Sequence, residues 1–312
     1  MGVYLGIDTS CYTTSAALAD EKENILCSIK IPLEVAQGKK GLQQSQAVFL
    51  HIKNLRRIFE ENDFSAYGKI EAVCVSETPR PCEGSYMPVF SVSAAAGAMT
   101  AGVTGAQLFY ATHQHGHIAA AMIGKTMPKR FLAVHVSGGT TEILSVCAQN
   151  GIENIEIVGA TLDISAGQVI DRLAQKLGFS FPGGRQVEDC ADSATKSILF
   201  KTSVSGMNMN FSGLEAQAFR ACNEMTPGDI CSGVLDAIAK TLDKAIGNAI
   251  RKTGIEDVLL FGGVMSNRRI RKYLAENLKK AQFAEIEYAA DNAAGLAVLA
   301  AVYANKKENV NT

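Results

Sequence analysis

One short pattern occurs twice in this 312-residue chain: an apolar run, a polar turn and a second apolar run. The first copy spans residues 3–7, 8–15 and 16–18. The second, near the middle, spans residues 131–136, then Ser137-Gly138-Gly139-Thr140-Thr141, then residues 143–146. Short apolar runs bounded by turn residues read as buried strands, so each copy predicts strand, turn, strand. Two such units at the heads of two halves point to a duplicated fold, and at about 150 residues per domain the length accommodates two domains.

The remaining chain alternates helix and strand signals. Residues 47–61, 93–101, 163–177 and 228–252 read as helices, the third from the spacing of Val169, Ile170, Leu173 and Leu177. Residues 70–75 and 258–261 read as strands, and residues 37–46 and 77–88 as loops. The alternation argues for an α/β architecture. No low-complexity linker divides the chain, so the halves are expected to share a cleft.

Charge and cysteine usage narrow the function. Thirty basic against thirty-one acidic residues give a net charge of -1, so no global positive field draws the chain to nucleic acid or anionic lipid. Any such contact must be a local patch. The eight cysteines form no C-x-x-C pair, which signals neither a zinc ribbon nor a disulfide framework and predicts a reduced, cytoplasmic protein. The N-terminal stretch carries no signal-peptide pattern, and no apolar run reaches the ~18 residues of a membrane span, so no membrane partner is expected.

Two glycine turns are candidate nucleotide contacts. Ser137-Gly138-Gly139-Thr140, between two strands and after Val136, would expose backbone N–H groups that can cradle phosphate. A plain hairpin turn explains the same residues. Gly262-Gly263 follows a strand and precedes Asn267 and a helix, where a nucleotide could approach the backbone closely. Asp171 is either half of an ion pair with Arg172 or Lys176, which the spacing favours, or an acceptor for ribose hydroxyls. Arg268, Arg269, Arg271, Lys272, Lys279 and Lys280 could meet an RNA backbone, although such a run reads first as a solvated helix face.

His113 and His117 stand four apart, so both imidazoles can project from one helical face, a metal-pair spacing. His115 points off that face. Asp291, among small residues before a final apolar helix, is either a hard oxygen ligand or a helix N-cap. A metalloprotease would place a general base inside the pair, as in H-E-x-x-H, whereas residues 114–116 are Gln, His and Gly.

In order along the chain, G-I-D-T-S-C (residues 6–11), H-x-x-x-H (113–117), V-S-G-G-x-T (136–141), D-x-x-A-G-x-x-x-D (163–171), P-G-G (182–184), N-F-S-G-L (210–214), G-G-V-x-x-N-R (262–268) and D-N-x-A (291–294) resemble the TsaD/Kae/Qri family, once called glycoprotease. The resemblance implies an ASKHA (actin-like ATPase) fold of two RNase H-like domains with a nucleotide cleft between them. Residues 1–128 would form the first domain, with a helix at 292–306 packing back on it, and residues 129–291 the second. It implies transfer of a threonylcarbamoyl group from its adenylate to N6 of the tRNA adenosine beside the anticodon. His113, His117 and Asp291 would bind one divalent metal, iron or zinc. Ser137, Gly138 and Gly139 would line the phosphates, Asp171 and Gly184 would meet the ribose and its surroundings, and Asn267 the nucleotide at the second turn. Implied partners are the adenylate or another adenine nucleotide, tRNA, and a smaller ASKHA protein with a P-loop ATPase, or a second copy of the chain.

The departures are specific. Adjacent Asp and Glu, usual after T-S-C, are Tyr12 and Thr13 here. The A-S-R-x-H segment corresponds to residues 45–51 and keeps only His51, the G-P-G-L turn becomes the longer residues 78–85, and S-G-G-H becomes S-G-G-T. Two functions therefore follow: a metal-dependent transferase, or a catalytically impaired nucleotide-binding paralog that acts as a partner.

Overall fold

The computed structural model describes residues 2–10, 12–34, 42–149, 151–289 and 292–310. Cys11, Asp291 and residues 37–41 of the first expected loop lie outside them. In chain order the elements are β1 (Gly2–Ser10), β2 (Thr13–Ala19), β3 (Ile25–Pro32), α1 (Gln44–Glu61), β4 (Lys69–Thr78), α2 (Phe90–Thr104), β5 (Gln107–Thr112) and α3 (His113–Met122). There follow β6 (Arg130–Val136), β7 (Thr141–Ala148), β8 (Ile152–Ala160), α4 (Ala166–Lys176), α5 (Gly184–Ala191), β9 (Ser203–Ser205), β10 (Asn208–Asn210), α6 (Ser212–Ala221), α7 (Pro227–Thr253), β11 (Val258–Phe261), α8 (Arg268–Asn277), β12 (Ala281–Phe283) and α9 (Ala294–Val310).

Two compact units emerge, one of residues 1–124, 149–153 and 290–312, the other of residues 125–148 and 154–289. Each holds a five-stranded sheet, in the orders β3-β2-β1-β4-β5 and β12-β11-β6-β7-β8. The senses match. β1 is antiparallel to β2 and parallel to β4, and β6 is antiparallel to β7 and parallel to β11. The duplication expected from the paired strand motifs is therefore a duplication of topology.

In the first unit, Val3, Leu5 and Ile7 of β1 and Ala16 and Leu18 of β2 point to one face, where Leu55 and Ile58 of α1 and Val92 of α2 cover them. The alternate residues face α9. A Cβ on Gly6 would lie 2.4 Å from the Ala293 carbonyl oxygen and the Ala297 amide, so only glycine admits α9 this close to the strand. In the second unit, Leu132, Val134 and Val136 of β6 and Leu260 of β11 pack on α4, α6 and α7. Helix α7 is long because its ends are specified. Thr226 caps the first turn, Pro227 supplies a pre-set φ, and Gly254 closes the last turn in the left-handed region.

Two expectations need correction. The first polar turn is not residues 8–15: β1 continues to Ser10 and β2 starts at Thr13, with Asp8 opposite Ser15 and Ser10 opposite Thr13. Asp8, Thr9 and Thr14 are buried and hydrogen-bonded across to the helical layer, whereas the buried Ser10 and Ser15 hydroxyls have no partner among the described residues. The Thr9 hydroxyl donates to the Val89 carbonyl, Thr14 Oγ1 meets His51 Nδ1 at 2.8 Å, and Asp8 meets His113. Helix α1 begins at Gln44, so the end of the expected loop at 37–46 is helical. Helix α3 starts at His113, so both histidines lie on it, and Thr112 and His115 form a capping box. Among the described residues no helix is long and apolar enough to cross a membrane.

Candidate functional site

The two glycine turns of the second unit leave the C-terminal ends of neighbouring parallel strands, the position at which open α/β sheets bind ligands. After β6, the Ser137 amide donates to the Thr140 carbonyl and the Thr140 amide to Ser137 Oγ, closing a tight turn. Helix α4 holds that turn. The Ser165 hydroxyl, which caps α4, donates to the Gly138 carbonyl at 2.7 Å, and Thr141 Oγ1 accepts from the Ala166 amide at 3.0 Å. A Cβ on Gly167 would sit 2.3 Å from the Ser137 carbonyl oxygen, so turn and helix start are in close contact.

Asp171, one turn into α4, belongs to the same site. A Cβ on Gly138 would lie 3.9 Å from its Oδ2, and its Oδ1 accepts from the Gly183 amide at 2.9 Å, which brings Gly184 alongside. Burial raises its pKa, and the Gly183 amide offsets part of that rise. The expected ion pair is replaced: Arg172 reaches Glu215 at 3.3 Å instead, because it projects toward α6. After β11, Gly262 has a φ of +101° and its missing Cβ would lie 2.3 Å from the Val136 carbonyl oxygen. Asn267 Oδ1 caps α8 through the Ile270 amide.

Gly138, Gly139, Gly184 and Gly263 differ from Gly262. None has a positive φ, and a Cβ on the last three would meet nothing within 4 Å. The protein's own packing does not require glycine there. What the missing side chains preserve is access to backbone N–H groups, as an anion-binding turn needs.

In the first unit, His113 and His117 lie on one side of α3, with ring centroids 4.2 Å apart. His113 Nδ1 is 3.1 Å from Asp8 Oδ1. His115 is turned away, its Nδ1 2.6 Å from Thr112 Oγ1, and burial pushes its pKa down to about 4. Two imidazoles thus stand where a borderline cation could take both. The remaining expected ligand, Asp291, is outside the described residues, and among those described no group of three or more His, Cys, Asp or Glu is placed to hold a metal. The described chain resumes at Asn292, whose Oδ1 accepts from the Ala294 amide at the start of α9. Tyr12 is 46% exposed, and Thr13 opens β2 opposite Ser10.

Three of the six residues of the basic cluster are ion-paired within the second unit. Arg268 reaches Glu188 at 2.7 Å, Arg269 grips both oxygens of Asp236, Lys280 pairs with Glu256, and Arg271 lies over the Phe283 ring. Spacing alone did not find Asp8, Ser165 or Asp163. Asp163 accepts from the Phe211 and Ser212 amides and thereby caps α6, whose own N-cap is an apolar phenylalanine. Its motif lies near that of residues 210–214 because one carboxylate holds both.

The model of a family described as TsaD, tRNA N6-adenosine threonylcarbamoyltransferase, matches residues 45–298. Solved structures similar to the chain include the activator of 2-hydroxyisocaproyl-CoA dehydratase from Clostridium difficile with bound ADPNP, at 15% identity and a TM-score of 0.56, covering 99% of this chain and 97% of that one. HypF from T. kodakarensis is similar at 13% identity and a TM-score of 0.59, covering 98% of this chain and 48% of that one. A ROK family glucokinase from Streptomyces griseus in complex with glucose and AMPPNP is similar at 12% identity and a TM-score of 0.53, covering 96% and 99%. At such identities the likeness establishes the fold, which is the ASKHA fold.

Proposed function

The chain belongs to the TsaD family of tRNA N6-adenosine threonylcarbamoyltransferases, and we propose that it transfers a threonylcarbamoyl group from its adenylate to N6 of the tRNA adenosine next to the anticodon, in the cytoplasm. The amine nitrogen attacks the carbamoyl carbon, the bond from that carbon to the phosphate oxygen breaks, AMP departs with the electron pair, and the nitrogen loses a proton. The task left to the protein is alignment and charge stabilisation, with no covalent intermediate.

The open glycines carry this reading. In it, the Gly138 and Gly139 amides of the turn that Ser137 and Thr140 close, together with the turn at Gly262-Gly263, hold the phosphate, the Asp171 carboxylate accepts from ribose hydroxyls near Gly184, and Asn267, its oxygen committed to α8, offers its NH2 group. One divalent ion, Fe2+ or Zn2+, would be held by His113, His117 and Asp291 and would supply Lewis acidity. Calorimetric titration with an adenine nucleotide or the adenylate tests the core of this assignment. The Gly139→Ala variant should bind at least about tenfold more weakly, the worth of one lost hydrogen bond to a charged group, with stability changed by no more than about 0.5 kcal/mol. Equal affinity would remove the turn from the site.

Partner surfaces follow from α1 and α2. Ile52, Phe59 and Met99, the last 66% exposed, rim an apolar groove floored by Val48, Leu55 and Ala96, which suits a helix-pairing partner such as a smaller ASKHA protein or a second copy. A P-loop ATPase would complete the assembly, and tRNA would be bound with its help.

A second reading is favoured by Tyr12 and Thr13: a nucleotide-binding paralog that supports an active relative without performing transfer. Restoring the acids separates the two. If their absence is the deficit, the double variant Tyr12→Asp, Thr13→Glu should transfer faster by a factor of about 100, the lower range for a positioned proton acceptor. An unchanged rate would place the deficit elsewhere.

A further inference from the structure

We propose that Asp8 is the positioning residue of the imidazole pair: it accepts a hydrogen bond from His113 Nδ1–H and so presents Nε2 as the donor atom to a divalent cation. The inference rests on the metal reading above and adds to it a residue and a tautomer.

Asp8 is a charged side chain inside a sheet, 1% exposed, between Ile7 and Thr9 and opposite Ser15. A carboxylate so buried is costly unless a donor meets it. His113 Nδ1 meets its Oδ1 at 3.1 Å. When ionised, the carboxylate can only accept, and the proton of this bond then sits on Nδ1. A neutral imidazole carries one ring proton, and Nε2 is then left with its lone pair. The His113 ring, 20% exposed, extends outward from that buried anchor and is packed on its flank by Phe90, with ring centroids 5.8 Å apart. His117 follows one helical turn later on the same side. A carboxylate behind a histidine fixes the ring and raises its basicity toward a metal.

The topology explains why the acid comes from β1. β5 ends at Thr112, where α3 begins, and β1 runs parallel to β4, itself parallel to β5, so the C-terminal end of β1 and the first turn of α3 lie at the same edge of the sheet. His51, the other imidazole near Asp8, is occupied differently: its Nδ1 meets Thr14 Oγ1, and burial lowers its pKa.

Two measurements on the full-length chain decide the matter. Long-range 1H–15N NMR of the metal-free wild type should show His113 as the Nδ1–H tautomer; an Nε2–H tautomer overturns the proposal whatever the protein does with metals. Competition titration with a chromophoric chelator should show Zn2+ bound about 10- to 100-fold more weakly by Asp8→Asn than by wild type, with an altered Co2+ absorption spectrum and an unchanged circular dichroism spectrum. Wild-type affinity in Asp8→Asn overturns the role of Asp8 while leaving the metal site standing. A wild-type chain that binds neither Zn2+ nor Co2+ overturns the metal reading, and this inference with it.

Discussion

The His117→Ala variant is expected to lose its metal entirely: elemental analysis of the purified chain should fall from about one ion per chain to background. The physical reason is the small number of ligands. A site built on two imidazoles and one carboxylate keeps one imidazole and the carboxylate after the change, and two protein ligands hold a divalent ion too weakly to survive purification. The fold should survive. His117 lies in the second turn of α3, where alanine is the better helix former, and the capping box at Thr112 and His115 is untouched. Circular dichroism should therefore match wild type while metal content does not. Unchanged metal content would place the ion elsewhere and leave His113 and His117 as a packed pair.

The Gly262→Ala variant is expected to lose about 3–5 kcal/mol of stability, read as an apparent melting temperature roughly 5–10 °C lower. Two costs combine. The backbone stands at φ +101°, where a Cβ is strained, and that Cβ would meet the Val136 carbonyl at 2.3 Å to oxygen and 2.7 Å to carbon. The obstructing atoms are backbone of β6, paired to β11 with His135 beside Phe261, so relief requires the strand ends to part. Nucleotide affinity should fall too, because the displaced segments are both glycine turns. A melting temperature equal to wild type would mean that these strand ends are softer than their pairing suggests.

The contrast between Gly262 and Gly139 marks what the sequence could and could not convey. Both glycines are visible in it, and both follow apolar runs. Only geometry separates a glycine required by the fold from one that the protein's own packing does not require.

Polarity misled where burial was satisfied by hydrogen bonds. Residues 8–15 read as a turn because strands are recognised by apolar runs, yet Asp8, Thr9 and Thr14 find partners on α3, α2 and α1, contacts about 40 to 105 residues away in the chain. Asp171 was misassigned for a related reason. Sequence neighbours suggested Arg172, whereas the partner is an amide twelve residues on, in the P-G-G segment. The basic run at 268–280 carried the same ambiguity, since its acidic partners come from α5, α7 and the segment before β11. Topology was more legible, because a repeated strand pattern is local even when its pairing is not.

Transfer itself is most directly tested by incubating the wild-type chain with threonylcarbamoyl-adenylate and an ANN-decoding tRNA, together with the smaller ASKHA partner and the P-loop ATPase, and digesting the tRNA for nucleoside mass spectrometry. N6-threonylcarbamoyladenosine should form at the position beside the anticodon, only when this chain is present. Its absence in every combination, with nucleotide still bound, would contradict a transferase and leave a nucleotide-binding partner in its place.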